Sequence, residues 1–342
     1  MIRVAMISFW HVHAGGYARQ AMNNPATEIS AVWDEVPERG RAQAEHLGAR
    51  FYERLEDLLA QSDIDAVIID APTNLHRDVM VAAAQAGKHI FTEKVVAPTL
   101  RECNEVIAAV EQAGVKLTVS LPRLYWGPTL AIKDVIDQKQ LGEVTLVRTR
   151  VAHNGAVRTK ERPEGWLPAH FFNKEQTFGG AMIDFGCHPM YLARLFLGPG
   201  LPESVSATYG YMTGREVEDN AVVTLRYASG ALGIVEAGFV NRFSPSPIEV
   251  HGTEGSLLYG TPENQLLIRS TAIGPEGAEQ WQVKSDLPAD LPTPFEQWVT
   301  HIQQGTTATE NIQAAIDLTM LMEATNLSAS TSQPVRLDAL AH

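Results

Sequence analysis

The sequence predicts an α/β protein in two parts. A Rossmann-type doubly wound parallel sheet comes first, followed by an α+β domain built on a large, mostly antiparallel open sheet. Three observations predict it. Up to about residue 120, short apolar strands alternate with helix-like stretches of about 10 to 15 residues, the signature of βαβ units. After about residue 140, strand-like segments follow one another closely. A chain of 342 residues is also too long for one ordinary core.

In chain order, "IRVAMIS" is a strand that runs into a helix from Gly15 to Met22. "EISAVWD" is the second strand. "PERGRAQAEHLG" is a helix with Pro37 near its start, where the fixed φ and missing N–H of proline are tolerated. "AVIIDAP", "HIFTEK" and "KLTVSL" are further strands, separated by the helices "NLHRDVMVAAAQAG" and "TLRECNEVIAAVEQAG". Gly48, Gly87 and Gly114 fall where helices end, because glycine takes the left-handed C-cap conformation without steric cost.

The second half reads as the strands "EVTLVRTRVAH", "ESVSATYGYM", "NAVVTLRYAS", "ALGIVEAGFV", "PIEVHGT", "SLLYG" and "QLLIRS". "YASGAL" joins two of them through a Ser-Gly turn, which predicts a hairpin and an antiparallel sheet with one face free to pack. Helices over 294–304 and 310–328 close the chain. The expected domains are residues 1–121 and 122–329, with the tail 330–342 returning to pack on the first.

Bulk properties narrow the function. Hydrophobic content of 45% with 20% charged residues is that of a globular enzyme. A net charge of -13 opposes a nucleic-acid partner, since phosphate binding needs clustered Lys and Arg. Cys103 and Cys187 stand in no metal spacing and suggest no disulfide framework. No apolar run approaches the roughly 18 residues of a membrane span, and "VAMISFW" is too short for the core of a signal peptide. A cytoplasmic protein with no membrane partner is the expectation.

Four stretches carry candidate chemistry. Asp34 ends the second strand, 19 residues beyond Gly15. An acid there accepts hydrogen bonds from both ribose hydroxyls of an adenosine and repels a 2′-phosphate, favouring NAD over NADP. It reads equally well as the start of a solvated turn before Pro37. Pro72, Thr73 and Asn74 form a turn at the carboxyl end of the third strand, the edge where open α/β sheets bind ligands. His76 follows in the first turn of the next helix, a place where a lone histidine is more often a capping or surface residue.

Glu93 and Lys94 end the strand "HIFTEK". A lysine at that lip suits a nicotinamide or a reacting hydroxyl, and partial burial would lower its pKa. Without further context, a surface Glu–Lys pair is the better reading. In "GGAMIDFGCHPMYLARLFLG", Gly179 and Gly180 allow close backbone approach, and Asp184 and His188 share a face if the stretch is helical. A carboxylate beside a histidine suits a general base; a dipole-stabilised acid beside a packed ring is slightly favoured in isolation.

Together these stretches resemble the glucose–fructose oxidoreductase/inositol dehydrogenase (Gfo/Idh/MocA) family over nearly the whole chain. "NLHRDVMVAAAQAGKHIFTEKVVAPT" is similar to the stretch leading to the family's Glu-Lys-Pro motif, and "GGAMIDFGCH" to its glycine-rich Asp-x-x-x-His motif. The resemblance implies a nicotinamide-dependent dehydrogenase acting on a secondary hydroxyl of a sugar, sugar derivative or cyclitol. Lys94 would polarise the reacting oxygen, and His188 assisted by Asp184 would take the hydroxyl proton. It also implies Arg123 and Tyr125 in "LPRLYWGP" facing substrate, and homodimers or homotetramers through the second sheet. Trp166, His170 and Phe172, just before the glycine motif, are candidates to stack on a sugar face, although aromatic residues are more often core.

Two departures stand out. Val95 replaces the proline after the lysine, a change that should move Lys94 little. In "SFWHVHAGG", Ser8, Trp10 and His13 take the three glycine positions of G-x-G-x-x-G. The first glycine permits the tight turn and the second lets pyrophosphate approach the backbone. The helix N-terminus remains, and His11 and His13 add donors, with Val12 between them. A shifted NAD site and a lost one are both open. Alternatives in function are an NAD-retaining hydrolase or lyase working by transient oxidation and elimination, and a non-catalytic ligand-binding or regulatory protein. No metal site is expected: His11 and His13 lie two apart, and Cys187 adjoins His188, neither a structural-zinc spacing.

Overall fold

The computed structural model describes residues 1–260 and 263–340. The chain divides into two units, the first running from Met1 to Leu121 and resuming over Pro292–Thr319, the second spanning Pro122–Leu291 and resuming at Met320.

The first unit is a six-stranded sheet among the described residues, built from β1 (Ile2–Ile7), β2 (Thr27–Trp33), β3 (Arg50–Phe51), β4 (Ala66–Ile69), β5 (His89–Thr92) and β6 (Leu117–Val119). Its order is β3-β2-β1-β4-β5-β6 and every pairing is parallel. The connecting helices are α1 (Ala14–Asn23), α2 (Pro37–Leu47), α3 (Leu55–Leu59), α4 (His76–Gln85) and α5 (Leu100–Ala113). β4 is apolar throughout because helices cover a parallel sheet on both faces. Gly48 and Gly114 cap α2 and α5 at φ 65° and 67°, the left-handed conformation expected there.

The second unit holds nine strands in one sheet among the described residues: β7 (Val144–Ala152), β8 (Ser204–Gly210), β9 (Asn220–Arg226), β10 (Leu232–Gly238), β11 (Ile248–Gly252), β12 (Gly255–Tyr259), β13 (Leu266–Ser270), β14 (Gln282–Lys284) and β15 (Val335–Arg336). Its helices include α6 (Gly127–Asp137), α7 (Lys174–Thr177), α8 (Cys187–Phe196) and α9 (Pro275–Glu279). The order is β14-β13-β12-β11-β7-β10-β9-β8-β15, antiparallel except for the central β7–β10 pair. The Ser-Gly turn does close a β9–β10 hairpin: Tyr227 N–H donates to Ala231 O at 3.0 Å, and Gly230 has φ 89°.

Two boundaries differ from the sequence expectation. Among the described residues the tail belongs to the second unit. β15 pairs with β8, so it extends the second sheet, while Ala341 and His342 lie outside the described residues. Conversely, α10 (Pro294–Gln304) and the start of α11 (Thr309–Thr331) belong to the first unit. The reason is apolar burial. Phe295 and Trp298 are fully buried in the same core as Met6, Ile68 and Phe91, with ring centroids 5.6 and 5.8 Å from Phe91. Each such side chain contributes roughly 2–3 kcal/mol. A capping box at Thr293 and Glu296 starts α10 at that point. Asn311 then pairs its amide with both main-chain groups of Val119, at 2.8 and 2.9 Å, satisfying the edge strand β6.

Candidate active site

The first sheet reverses its order between β1 and β4, and open α/β sheets bind ligands outside the carboxyl ends at such a switch point. All the first-domain residues expected in a site follow a strand end on that edge.

The turn after β1 keeps the shape of a glycine turn without the glycines. Ser8 has φ 71°, the left-handed region, which costs a residue with a Cβ on the order of 1–2 kcal/mol. Local bonds hold it there. Ser8 N–H donates to Trp33 O at 2.7 Å, and its hydroxyl accepts from Trp10 N–H at 3.0 Å. Trp10 is 5% exposed. Val12 is exposed, and the His13 side chain is 49% exposed. α1 follows His13 as its N-cap residue, with no side-chain cap. His13 N–H donates to His11 Nδ1 at 3.3 Å, and Ala14 and Gly16 N–H donate to the His11 and His13 carbonyls at 3.1 and 2.7 Å. What the helix start offers an anion is therefore chiefly its dipole end.

Asp34 corrects an expectation. A carboxylate offers about four acceptor positions, and here all four are filled. Phe9 N–H and Arg39 Nε–H donate to Oδ2 at 2.9 and 2.8 Å, while Val36 N–H and Arg39 Nη2–H donate to Oδ1 at 2.8 and 2.7 Å. The Asp34 side chain is fully buried, and Arg39, 25% exposed, also bonds Glu35 at 2.6 Å. Gly40 makes this possible, since a Cβ there would stand 2.7 Å from Asp34 Cβ. The acid is therefore a held group rather than an open ribose acceptor.

His76 also departs from its candidate role. It is buried, with Nδ1 2.8 Å from Val95 O and Nε2 2.9 Å from Ala71 O. Both ring nitrogens are engaged, so His76 ties the loop after β4 to the loop carrying Lys94 instead of facing a ligand. Pro72 and Thr73 are buried in the turn before it, and Asn74 is exposed.

Glu93 and Lys94 are both buried, which excludes a solvated surface pair. Glu93 Oε1 sits 2.8 Å from His13 Nδ1 and accepts the Tyr17 hydroxyl, which in turn lies 2.6 Å from Ser120 Oγ. Burial alone would raise the Glu93 pKa; the His11 and His13 imidazoles and Lys94 outweigh it and hold the carboxyl well below its usual value. Burial first, then Glu93, pushes the neighbouring Asp70 and Tyr17 well up. The Lys94 N–H donates to Glu93 Oε2 at 3.2 Å.

In the second unit, "GGAMIDFGCH" begins with a π-helical turn, Met182–Gly186, that runs into α8. Such turns recur at functional sites because they re-aim side chains. Glu218, absent from the sequence reading, closes the start of this turn. Its buried carboxylate accepts from Gly180 N–H at 2.8 Å and Met182 N–H at 2.9 Å. Gly180 is required there: a Cβ would meet Glu218 O at 2.0 Å.

His188 is buried, with Nδ1 3.0 Å from the Tyr191 hydroxyl. Tyr191 also receives Arg123 N–H at 3.1 Å. The Phe185 ring gathers the rest: it lies 4.7 Å from His153 and 6.0 Å from His188, with the Arg123 guanidinium 5.9 Å above it. Burial pulls the Arg123 guanidinium below its usual value and does the same to His153, which Asp184 partly offsets. Trp166 packs on His153 at 4.7 Å and remains 43% exposed. The second unit thus brings together Arg123, His188 and Trp166 and adds Tyr191, Phe185 and His153. His170 rests against Phe171 at 5.1 Å, and Tyr125 is held through its carbonyl by Leu291 N–H. Phe172 is not an open stacking face, because Arg215 covers its ring at 3.6 Å. Tyr191 had a signal in the sequence, three residues beyond His188 on a helix. Glu218, 36 residues from Met182, had none.

A parallel sheet with a helix N-terminus at its switch point, followed by an α+β unit carrying a buried histidine, has the frame of a nucleotide-binding enzyme. Comparison with known proteins gives the family. The oxidoreductase family model with an NAD-binding Rossmann fold matches residues 2–121, and the GFO/IDH/MocA C-terminal domain matches residues 129–258. The chain is 29% identical to scyllo-inositol 2-dehydrogenase (NAD(+)) of Bacillus subtilis (strain 168), covering 92% of this chain and 90% of that one. It is 29% identical to 1,5-anhydro-D-fructose reductase of Ensifer adhaerens, over 77% and 76% of the two chains. The fold is shared with levoglucosan dehydrogenase in complex with NADH and levoglucosan, at TM-score 0.78, 22% identity and coverage of 98% and 99%. The protein belongs to the Gfo/Idh/MocA family of oxidoreductases. No helix among the described residues is long and apolar enough to cross a membrane.

Proposed function

We propose that this chain is a dehydrogenase that oxidises a secondary hydroxyl of a sugar, sugar derivative or cyclitol, with NAD as acceptor. When bound, NAD supplies the electrophilic nicotinamide carbon that receives the hydride. The residues present fit its diphosphate, since Ser8 keeps the left-handed turn and the positive dipole end of α1 follows it. NAD is preferred to NADP because Asp34, Glu35 and Arg39 together leave one net negative charge near the adenosine ribose, which repels a 2′-phosphate.

In this reading Lys94 donates a hydrogen bond to the reacting oxygen and steadies negative charge growing on it. His188 takes the hydroxyl proton at Nε2 while Nδ1–H donates to the Tyr191 oxygen, which selects the tautomer and fixes the ring. Asp184 steadies the imidazolium that results. Arg123 and Trp166 line the carbohydrate position, where the exposed indole face suits sugar C–H groups.

The observation that carries the reading is the buried His188–Tyr191 pair beside the Phe185 ring. Calorimetry with NAD and NADP on cofactor-free protein, followed by a screen of inositols and sugars for NADH formation, tests it. Binding of NAD ahead of NADP with turnover of a polyol supports it. Failure to bind either nucleotide overturns it.

A further inference from the structure

His11 and His13 have no part in the proposed hydride and proton transfers. Their ligand nitrogens and a Glu93 oxygen all lie within 4.8 Å of one another. Glu93 Oε1 is 2.8 Å from His13 Nδ1 and 3.8 Å from His11 Nδ1, which accepts His13 N–H at 3.3 Å and gives up that bond when it takes a metal. An ion bound tetrahedrally at about 2.0–2.1 Å places neighbouring ligand atoms about 3.3 Å apart. The two observed separations straddle that edge, and each needs to change by about half an ångström to reach it. We propose that His11, His13 and Glu93 form a three-ligand site for one divalent transition-metal ion, with a further coordination position open on the exposed side of His13.

The donor set selects the metal class. Two imidazole nitrogens and one carboxylate oxygen suit zinc or its neighbours in the series, whereas calcium and magnesium take oxygen. Glu93 is buried and oriented by the Tyr17 hydroxyl, itself bonded to Ser120, as outer partners orient metal-ligating side chains. His11 is buried as well, and half-exposed His13 supplies the ligand that can move.

Asp70 is an independent pointer. Its carbonyl accepts His11 N–H at 3.1 Å, and its carboxyl is fully buried with neither oxygen hydrogen-bonded. A second buried acid without a hydrogen-bonding partner thus adjoins the cluster, and a cation bound there lowers the cost of burying it. The His-x-His spacing could not reveal this, because the third ligand arrives from β5, 80 residues after His13.

The competing reading is a His13–Glu93 ion pair that binds no metal. Full-length, tag-free, chelator-treated protein titrated with Co(II), then with Zn(II), separates the two. The proposal expects one Co(II) per chain with visible d–d absorption, displaced by Zn(II). His13→Ala should bind about tenfold or more weakly, while His46→Ala, on the surface of α2, should match the parent. A melting curve confirms that His13→Ala is folded. No stoichiometric uptake by the parent, or equal uptake by His13→Ala, overturns the proposal. No nucleotide or polyol enters the measurement, so its failure is distinct from failure of the dehydrogenase reading.

Discussion

Two helix starts sit beside the residues assigned to chemistry, and they are finished in opposite ways. α1 has lost the glycines that usually precede a nucleotide-binding helix, yet its N-terminus carries no side-chain cap. The turn at Met182 keeps its glycines, yet a buried carboxylate from Glu218 closes it. Glycine content therefore does not say which helix start a buried acid closes; the hydrogen bonds to Glu218 do. At the first, a strained Ser8 reproduces the turn. At the second, glycine serves close packing on the chain's own acid.

The sharpest way to break this comparison is to remove the base that the closed turn leads into. His188→Gln should lower turnover about 10²–10⁴-fold, the usual worth of a positioned acid or base. Calorimetric NAD affinity should stay the same, because the open helix start is untouched. A variant that keeps full turnover would remove His188 from the chemistry.

Gly180→Ala tests the closed start itself. The added Cβ would fall 2.0 Å from Glu218 O, and backbone cannot yield as a flexible side chain does. A loss of about 3 kcal/mol in a denaturant titration is expected, at the high end of overpacking. Gly16→Ala, in the first turn of α1, meets only an Arg19 side-chain atom at 3.9 Å and should be nearly neutral. Equal losses at the two glycines would erase the distinction.

Tyr191→Phe addresses orientation. Without the hydroxyl, His188 Nδ1 and Arg123 N–H both lose a partner. Turnover should fall about 10- to 100-fold, and the limb of the pH–rate profile that reports the base should move. A purely structural role for Tyr191 would lower the melting temperature and leave the profile where it was.

Much of this was legible in the sequence, and the failures share a cause. Alternation of apolar strands and helices revealed the parallel sheet, since β1, β4 and β5 are apolar at their centres and β2 at its carboxyl half. The two-residue β3 was too short to read, and the parallel β7–β10 pair depends on sheet order rather than on local pattern. Amphipathicity marked α10 as a helix but could not say which core would take Phe295 and Trp298. Among site residues, local motifs identified Lys94 and His188 as candidates. His76 and Asp34 were misread because their partners, the Val95 and Ala71 carbonyls and the Arg39 fork, exist only once the loops meet.

The smallest effect concerns that Asp34 corner, and it separates charge from access. Arg39→Ala would leave Asp34 with Phe9 N–H and Val36 N–H and free two acceptor positions. Loss of the guanidinium also makes the corner one unit more negative. Both changes favour a ribose diol over a 2′-phosphate. The ratio of NAD to NADP affinity should rise by roughly fivefold, about 1 kcal/mol, as befits a partly exposed charge. Stability should fall by about 1–3 kcal/mol, since buried Asp34 loses two charged donors and keeps two main-chain ones. If the NAD preference instead weakens, Arg39 itself holds the adenosine ribose and the acid only positions it.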